Sequence, residues 1–263
     1  MWAYEKKLQY PVRISRPNPT LASLIISQVG GPDGELAASM RYLSQRYAMP
    51  YREGMATLTD IGTEELAHLE MVSAIIYQLT RNLTPEEAQA QGFAPYYIDH
   101  TTGVWPQAAS GEPFTSNFFQ SKGDPITDLN EDLAAEQKAR TTYDNILRLL
   151  DDPDVIDPIR FLRQRELVHY QRFGETLRIV QDKLNARNFY AFNPAFDTAG
   201  EIQPRDGSRQ AGERGEADEG SRRKARYNGN TGERLGEPAV ETESAGPDLD
   251  DLDEMLCEPE EIG

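Results

Sequence analysis

MATLTDIGTEELAHLEMVSAIIYQL, residues 55–79, is the stretch on which the fold turns. Met55, Leu58, Ile61, Glu65, His68, Val72, Ile75 and Leu79 follow one another at steps of three or four, the spacing that puts side chains on one face of an α-helix. An acid and a histidine therefore fall inside an otherwise apolar stripe. VIDPIRFLRQRELVHYQRFGETLRIV, residues 155–180, repeats the pattern through Val155, Ile159, Leu162, Glu166, His169, Phe173, Leu177 and Val180. Residues 125–150 supply Ile126, Leu129, Leu133, Glu136, Arg140, Tyr143, Leu147 and Leu150, with Glu136 halfway along. Glu35 opens a further helical face that continues through Ala38 and Ser39 to Tyr42.

These periodicities, with no alternating strand pattern beside them, predict an all-α chain of four principal helices. They span about 34–48, 53–80, 125–151 and 154–184, with Asp33 as N-cap of the first and a shorter helix at 20–29 before it. Some 43 residues, rich in Gly, Pro and aromatics, separate the second from the third. A connection that long suits a crossover from one end of a four-helix bundle to the other. Its aromatics, Tyr96, Tyr97, Trp105, Phe114, Phe118 and Phe119, are expected to pin it to the bundle rather than line a channel.

Four glutamates facing one apolar interior need neutralising, because an unpaired buried carboxylate costs several kcal/mol or takes up a proton. Divalent cations do this. Two Glu-x-x-His pairs plus one Glu from each of two other helices form the ligand set of carboxylate-bridged dinuclear sites in bundles of the ferritin type. The chain supplies Glu35, Glu65 with His68, Glu136, and Glu166 with His169. A spacing of three lets both side chains of a pair reach one ion. His100, in DHTTG, has no partner acid at that spacing and reads as a loop histidine. Glu64 and Glu70 lie off the stripe and are expected to face solvent or form salt bridges. Carboxylate and imidazole do not choose between manganese and iron.

The rest of the chain narrows the class. Of the formal charge of −17, the stretch 237–263 supplies eleven acids and no Lys or Arg. From about Phe196 the sequence turns to Gly, Arg, Glu, Asp and Ser, which cannot bury enough apolar surface to order itself, so 196–263 reads as a disordered acidic tail behind a domain at 1–195. Arg222, Arg223, Lys224 and Arg226 sit among acids and read as solvated, so no nucleic acid partner is expected. Leu249, Leu252 and Leu256 are at helical spacing, but this end reads first as an acidic solubilising stretch and only second as a docking peptide for other protein partners. No run of eighteen apolar residues and no signal peptide is apparent, and Cys257 is the single cysteine, so a cytoplasmic chain with no membrane span is expected.

MWAYEKKLQYPV at the N-terminus, GELAASMRYLSQRY around Glu35, TDIGTEELAHLEM around Glu65 and His68, and FLRQRELVHYQRF around His169 resemble the manganese catalases, nearest to their short branch found in bacterial spore coats. The resemblance covers about residues 1–185. It implies a ferritin-like bundle that disproportionates hydrogen peroxide at two manganese ions, with Glu35 bridging them, Glu65 and His68 on one and Glu136 and His169 on the other. It also implies that Glu166 stands beside the cluster to relay protons and that Tyr42 hydrogen-bonds near the bridge. A homo-oligomer, commonly a hexamer, is implied too, with Trp2, Tyr4 and the crossover as contacts. The chain departs from the pattern at Ala135, where some members carry arginine. The competing readings are a diiron ferritin-like oxidase or iron store, and a structural protein of a spore coat.

Overall fold

Two of the four principal helices, those opening at Pro125 and Pro153, begin where an aspartate caps the first turn and a proline enters it; those opening at Glu35 and Arg52 have no side-chain cap. In the computed structural model residues 7–186 are described, and all belong to one compact unit. Asn18 caps α1 (Pro19–Ile25), which is followed by α2 (Ser27–Gly30) and α3 (Glu35–Gln45). After a short turn comes α4 (Arg52–Thr80). The crossover carries α5 (Pro85–Ala90), opened by a capping box from Thr84 and Glu87, and α6 (Ala94–His100). Asp124 accepts a hydrogen bond from Thr127 N at 2.8 Å to start α7 (Pro125–Leu147), and Asp152 caps α8 (Pro153–Asn185). Among the described residues there is no strand, only a single bridge between Gln107 and Pro113. Among the described residues no helix is long and apolar enough to cross a membrane.

The fold is all-α, as the periodicity predicts: α3 packs against α4, α7 against α8, and the two pairs meet mainly through α4 and α8. Tyr42, Leu58, Ile61, Leu129, Phe173 and Val180 form an apolar cluster with contributions from all four helices. A few expectations shift. The N-cap of α3 is Gly34 rather than Asp33, and the short helix at 20–29 is two. The buried face of α7 runs through Leu129, Asp132, Ala135, Glu136, Ala139, Tyr143 and Ile146. Arg140, assigned to that face from spacing alone, instead reaches the surface, where it pairs with Asp144 at 2.5 Å and with Gln137. A guanidinium finds water and two acceptors there that an apolar interior would deny it. The disordered reading of 196–263, the docking peptide, and Trp2 and Tyr4 fall outside the described residues.

The crossover is held by polar contacts and by its own aromatic rings. Tyr96 donates to Gly103 O, Trp105 N donates to Tyr96 Oη at 2.9 Å, and His100 stacks on Trp105 with centroids 4.5 Å apart. The far end is fixed by Asp128, which accepts from Lys122 N and Gly123 N, and by buried Arg41, which donates to Phe118 O. Where the crossover passes α2, a Cβ on Gly30 would lie 2.3 Å from Gln107 N and from Pro106 C. Both neighbours are backbone and cannot swing aside. Gly30→Ala is therefore expected to destabilise the chain by about 2 kcal/mol or more, outweighing the roughly 1 kcal/mol that alanine gains in a helix. Urea unfolding measures this, and an unchanged midpoint contradicts the close approach.

Candidate metal centre

Gly62 sets the separation of α3 and α4 beside the site: a Cβ there would meet Leu43 at 2.9 Å and Tyr42 Cβ at 3.2 Å. Ser39 Oγ donates to Gly62 O at 2.9 Å across the same contact. The close approach brings Glu35 and Tyr42 of α3 over Glu65 and His68 of α4. Glu136 arrives from α7, and Glu166 and His169 from α8. All six candidate acids and histidines are buried, none more than 2% exposed.

Glu65 occupies the middle. Its Oε2 lies 2.8 Å from His68 Nδ1 and its Oε1 2.7 Å from His169 Nδ1. Glu35 Oε2 stands 3.8 Å from His68 Nδ1, and Glu136 Oε2 stands 3.5 Å from His169 Nδ1. The two imidazoles lie nearly parallel with centroids 5.4 Å apart. Glu65, His68, Glu166 and His169 each offer a donor atom within 4.8 Å of the others, so Glu166 is not set apart from the cluster. Tyr42 donates to Glu136 Oε1 at 2.5 Å, and Tyr143 donates to Glu35 Oε1. Ala135 is buried next to Glu136 and offers no charge.

Four of these atoms, Glu65 Oε1, Glu136 Oε2, Glu166 Oε1 and His169 Nδ1, close no hydrogen bond although they are sealed from solvent; Glu65 Oε1 and His169 Nδ1 stand 2.7 Å apart as an ion pair without the alignment of one. Buried polar atoms are otherwise almost always satisfied. Oxygen and imidazole nitrogen lone pairs aimed into one dry volume suit a divalent transition metal, so the residues fit such an ion.

The protonation equilibria point the same way. Burial, then the charge of Glu65, pushes Glu35 up to about 8. Burial and the surrounding glutamates raise Glu166 well above the carboxylate range. Burial lowers both histidines, but Glu65 and its neighbours outweigh it and raise them. Burial also pushes Glu65 up, yet His169 and His68 more than offset it and hold that carboxyl below its usual value. Glu35 and Glu166 keep protons that the unfolded chain releases above its ordinary carboxylate pKa near 4.5, so their effect on stability worsens as pH rises from there toward 8. The raised histidines act with the same sign: their stabilisation is full below pH 6.5 and fades as pH rises. Glu65 acts oppositely, but its contribution is lost only on strong acidification. Metal-stripped protein should thus unfold at lower urea at pH 8 than at pH 5.5. Equal midpoints would contradict the buried cluster.

Sequence spacing brings Glu35, Glu65, His68, Glu136, Glu166 and His169 to the site, and Tyr42 with them. It misses three neighbours. Tyr143 reads as one more apolar position of α7 but spends its hydroxyl on Glu35. Asp132 is completely buried, four residues before Glu136, where the pattern favours Leu133. Glu64, off the stripe, makes its expected salt bridge with Arg165 at 2.7 Å but also faces the histidines.

A helical bundle enclosing two Glu-x-x-His pairs and two further glutamates defines the ferritin-like class of carboxylate-bridged metalloproteins. A model of the family described as "Manganese containing catalase" matches residues 1–190. The chain belongs to that family. It is 50% identical over 190 residues to protein CotJC of Bacillus subtilis (strain 168), covering 72% of this chain and all of that one. It is 35% identical over 193 residues to a probable manganese catalase of Clostridium acetobutylicum, covering 72% of this chain and 85% of the other. The crystal structure of KatB, a manganese catalase from Anabaena PCC7120, superposes with a TM-score of 0.63 at 28% identity, over 78% of this chain and 87% of that one.

Proposed function

We propose that the protein is a manganese catalase that converts hydrogen peroxide to water and oxygen at two manganese ions. The observation that carries this reading is the set of buried, converging donor atoms on α4, α7 and α8 that close no hydrogen bond. Glu35, Glu65, His68, Glu136 and His169 would hold the pair, and the acid shared between its halves would be Glu65, which faces both histidines, rather than Glu35, one oxygen of which is taken by Tyr143. Bound manganese would supply a two-electron store, so that one peroxide is oxidised to oxygen and a second reduced to water. The side chains around it have separate tasks. Tyr42 ties down Glu136 Oε1 and leaves Oε2 toward His169. Tyr143 does the same for Glu35, whose Oε2 faces His68. Glu166, kept neutral by burial, holds a proton beside the cluster and is the general acid and base of the cycle, with Tyr42 as the neighbouring donor.

Family membership favours manganese over iron. Elemental analysis of the purified chain and an oxygen electrode test the reading together. Manganese content with rapid oxygen release supports it; iron content with ferrous oxidation and no oxygen from peroxide replaces it with a diiron oxidase or iron store. The catalytic unit is 1–195, carried with 196–263 as an appended segment, and it works as a homo-oligomer. Residence in a spore coat is the second reading, favoured by the N-terminal likeness to the short branch. A coat role without catalysis predicts assembly that survives His68→Ala and no peroxide turnover in the parent protein.

A further inference from the structure

The two candidate histidines turn their Nδ1 atoms inward, to within 2.8 and 2.7 Å of Glu65. Their far nitrogens both face one other carboxylate, that of Glu64. His169 Nε2 lies 3.0 Å from Glu64 Oε2. His68 Nε2 stands 3.6 Å from Oε1, inside ion-pair range, and closes no hydrogen bond. Glu64 is itself clamped by three hydrogen bonds from two residues. Arg165 of α8 donates through Nε to Oε1 at 2.7 Å and through a terminal nitrogen to Oε2 at 3.1 Å, and Gln9 donates to Oε1 at 2.7 Å. Burial alone would raise this carboxyl, but His169, His68 and Arg165 hold it well below the usual range.

A histidine that binds metal through Nδ1 must carry its proton on Nε2, and an acceptor there fixes both the tautomer and the plane of the ring. Such acceptors commonly serve one ring each. Here α4 and α8 cross so that residue 64, one position before Glu65, presents a separate oxygen to each imidazole. We propose that Glu64 is a positioning residue shared by both halves of the metal centre, orienting His68 and His169 together, with Arg165 and Gln9 as its supports. This rests on the metal reading given under the proposed function.

The Glu64→Gln chain keeps the size and the helix but has one accepting oxygen, and its amide nitrogen would present a donor to a donor. Metal-stripped parent and variant are reloaded with manganese(II) alone, with affinity read by chelator competition and the ions by electron paramagnetic resonance. E64Q is expected to lose tenfold to a hundredfold in manganese affinity and to show an uncoupled single-ion spectrum where the parent shows a coupled pair. A merely structural role would lower the unfolding midpoint of the stripped protein yet leave the loaded spectrum unchanged. Arg165→Gln, which removes a support and leaves Glu64 in place, is expected to lower affinity by a smaller factor. E64Q with affinity within about twofold of the parent and an unchanged spectrum overturns the assignment. Should E64Q not fold, unchanged affinity in R165Q overturns it. A parent that takes up no manganese rejects the metal centre and this role with it, whereas a parent that binds normally beside an unaffected E64Q rejects only the role of Glu64.

Discussion

Glu65→Gln lowers oxygen release from peroxide by at least about a hundredfold, the upper end of what even an outer partner of a metal costs. Glu65 is the acid whose two oxygens lie within 2.8 Å of both inward-facing imidazole nitrogens. Glutamine keeps its length and helix propensity, so α4 should form as before. What is lost is the negative charge between two groups that it holds charged, and one of the two accepting oxygens. His68 and His169 then neutralise, Glu35 and Glu166 stay protonated, and the cluster no longer presents enough anionic oxygen to attract a pair of dications. Circular dichroism should show unchanged helix content while manganese content falls. Retained manganese with lost turnover would instead assign Glu65 to chemistry rather than binding. Full activity would remove it from the site.

Stripping the metal is expected to have the second large effect. A ligand bound only by the folded chain and present at a thousand times its dissociation constant stabilises that chain by about 4 kcal/mol. For a domain of this size each kcal/mol moves the melting midpoint by about 2–4 °C, so chelation should lower it by roughly 10 °C. The difference should grow with pH, because the stripped site must hold a proton on Glu35 that the loaded site releases. Differential scanning calorimetry at pH 6 and 8, with and without chelator, checks both the size and the trend. A midpoint indifferent to chelator at both values would mean that no cation compensates the buried acids.

Legibility in the sequence followed helical geometry closely and failed where it no longer applied. Glu65, His68, Glu166 and His169 were readable because each lies within a long run of apolar positions at steps of three and four, which leaves little choice of face. Tyr143 was readable as buried but not as a donor to Glu35, since a hydroxyl at an apolar position gives no sign of its partner 108 residues away. Arg140 and Ala139 compete for the same stretch of α7, and spacing alone chose the arginine. Solvation decides for alanine. Glu64 escaped because a rule based on one face treats its neighbours as outward. The imidazole is long enough for its far nitrogen to reach past the stripe, so a residue at its edge can still touch the site. Gly30 and Gly62 carried no signal either, because their requirement comes from chain segments that approach only after folding.

The measurement that bears most directly on the account is a titration of stripped protein with manganese(II) at pH 7.5, followed by equilibrium dialysis. Glu35, Glu65, His68, Glu136 and His169 acting together predict two tightly bound ions per chain, accompanied by proton release. Failure to bind manganese, or binding that persists undiminished when Glu65 is glutamine, would contradict the claim that cations hold these carboxylates in the interior.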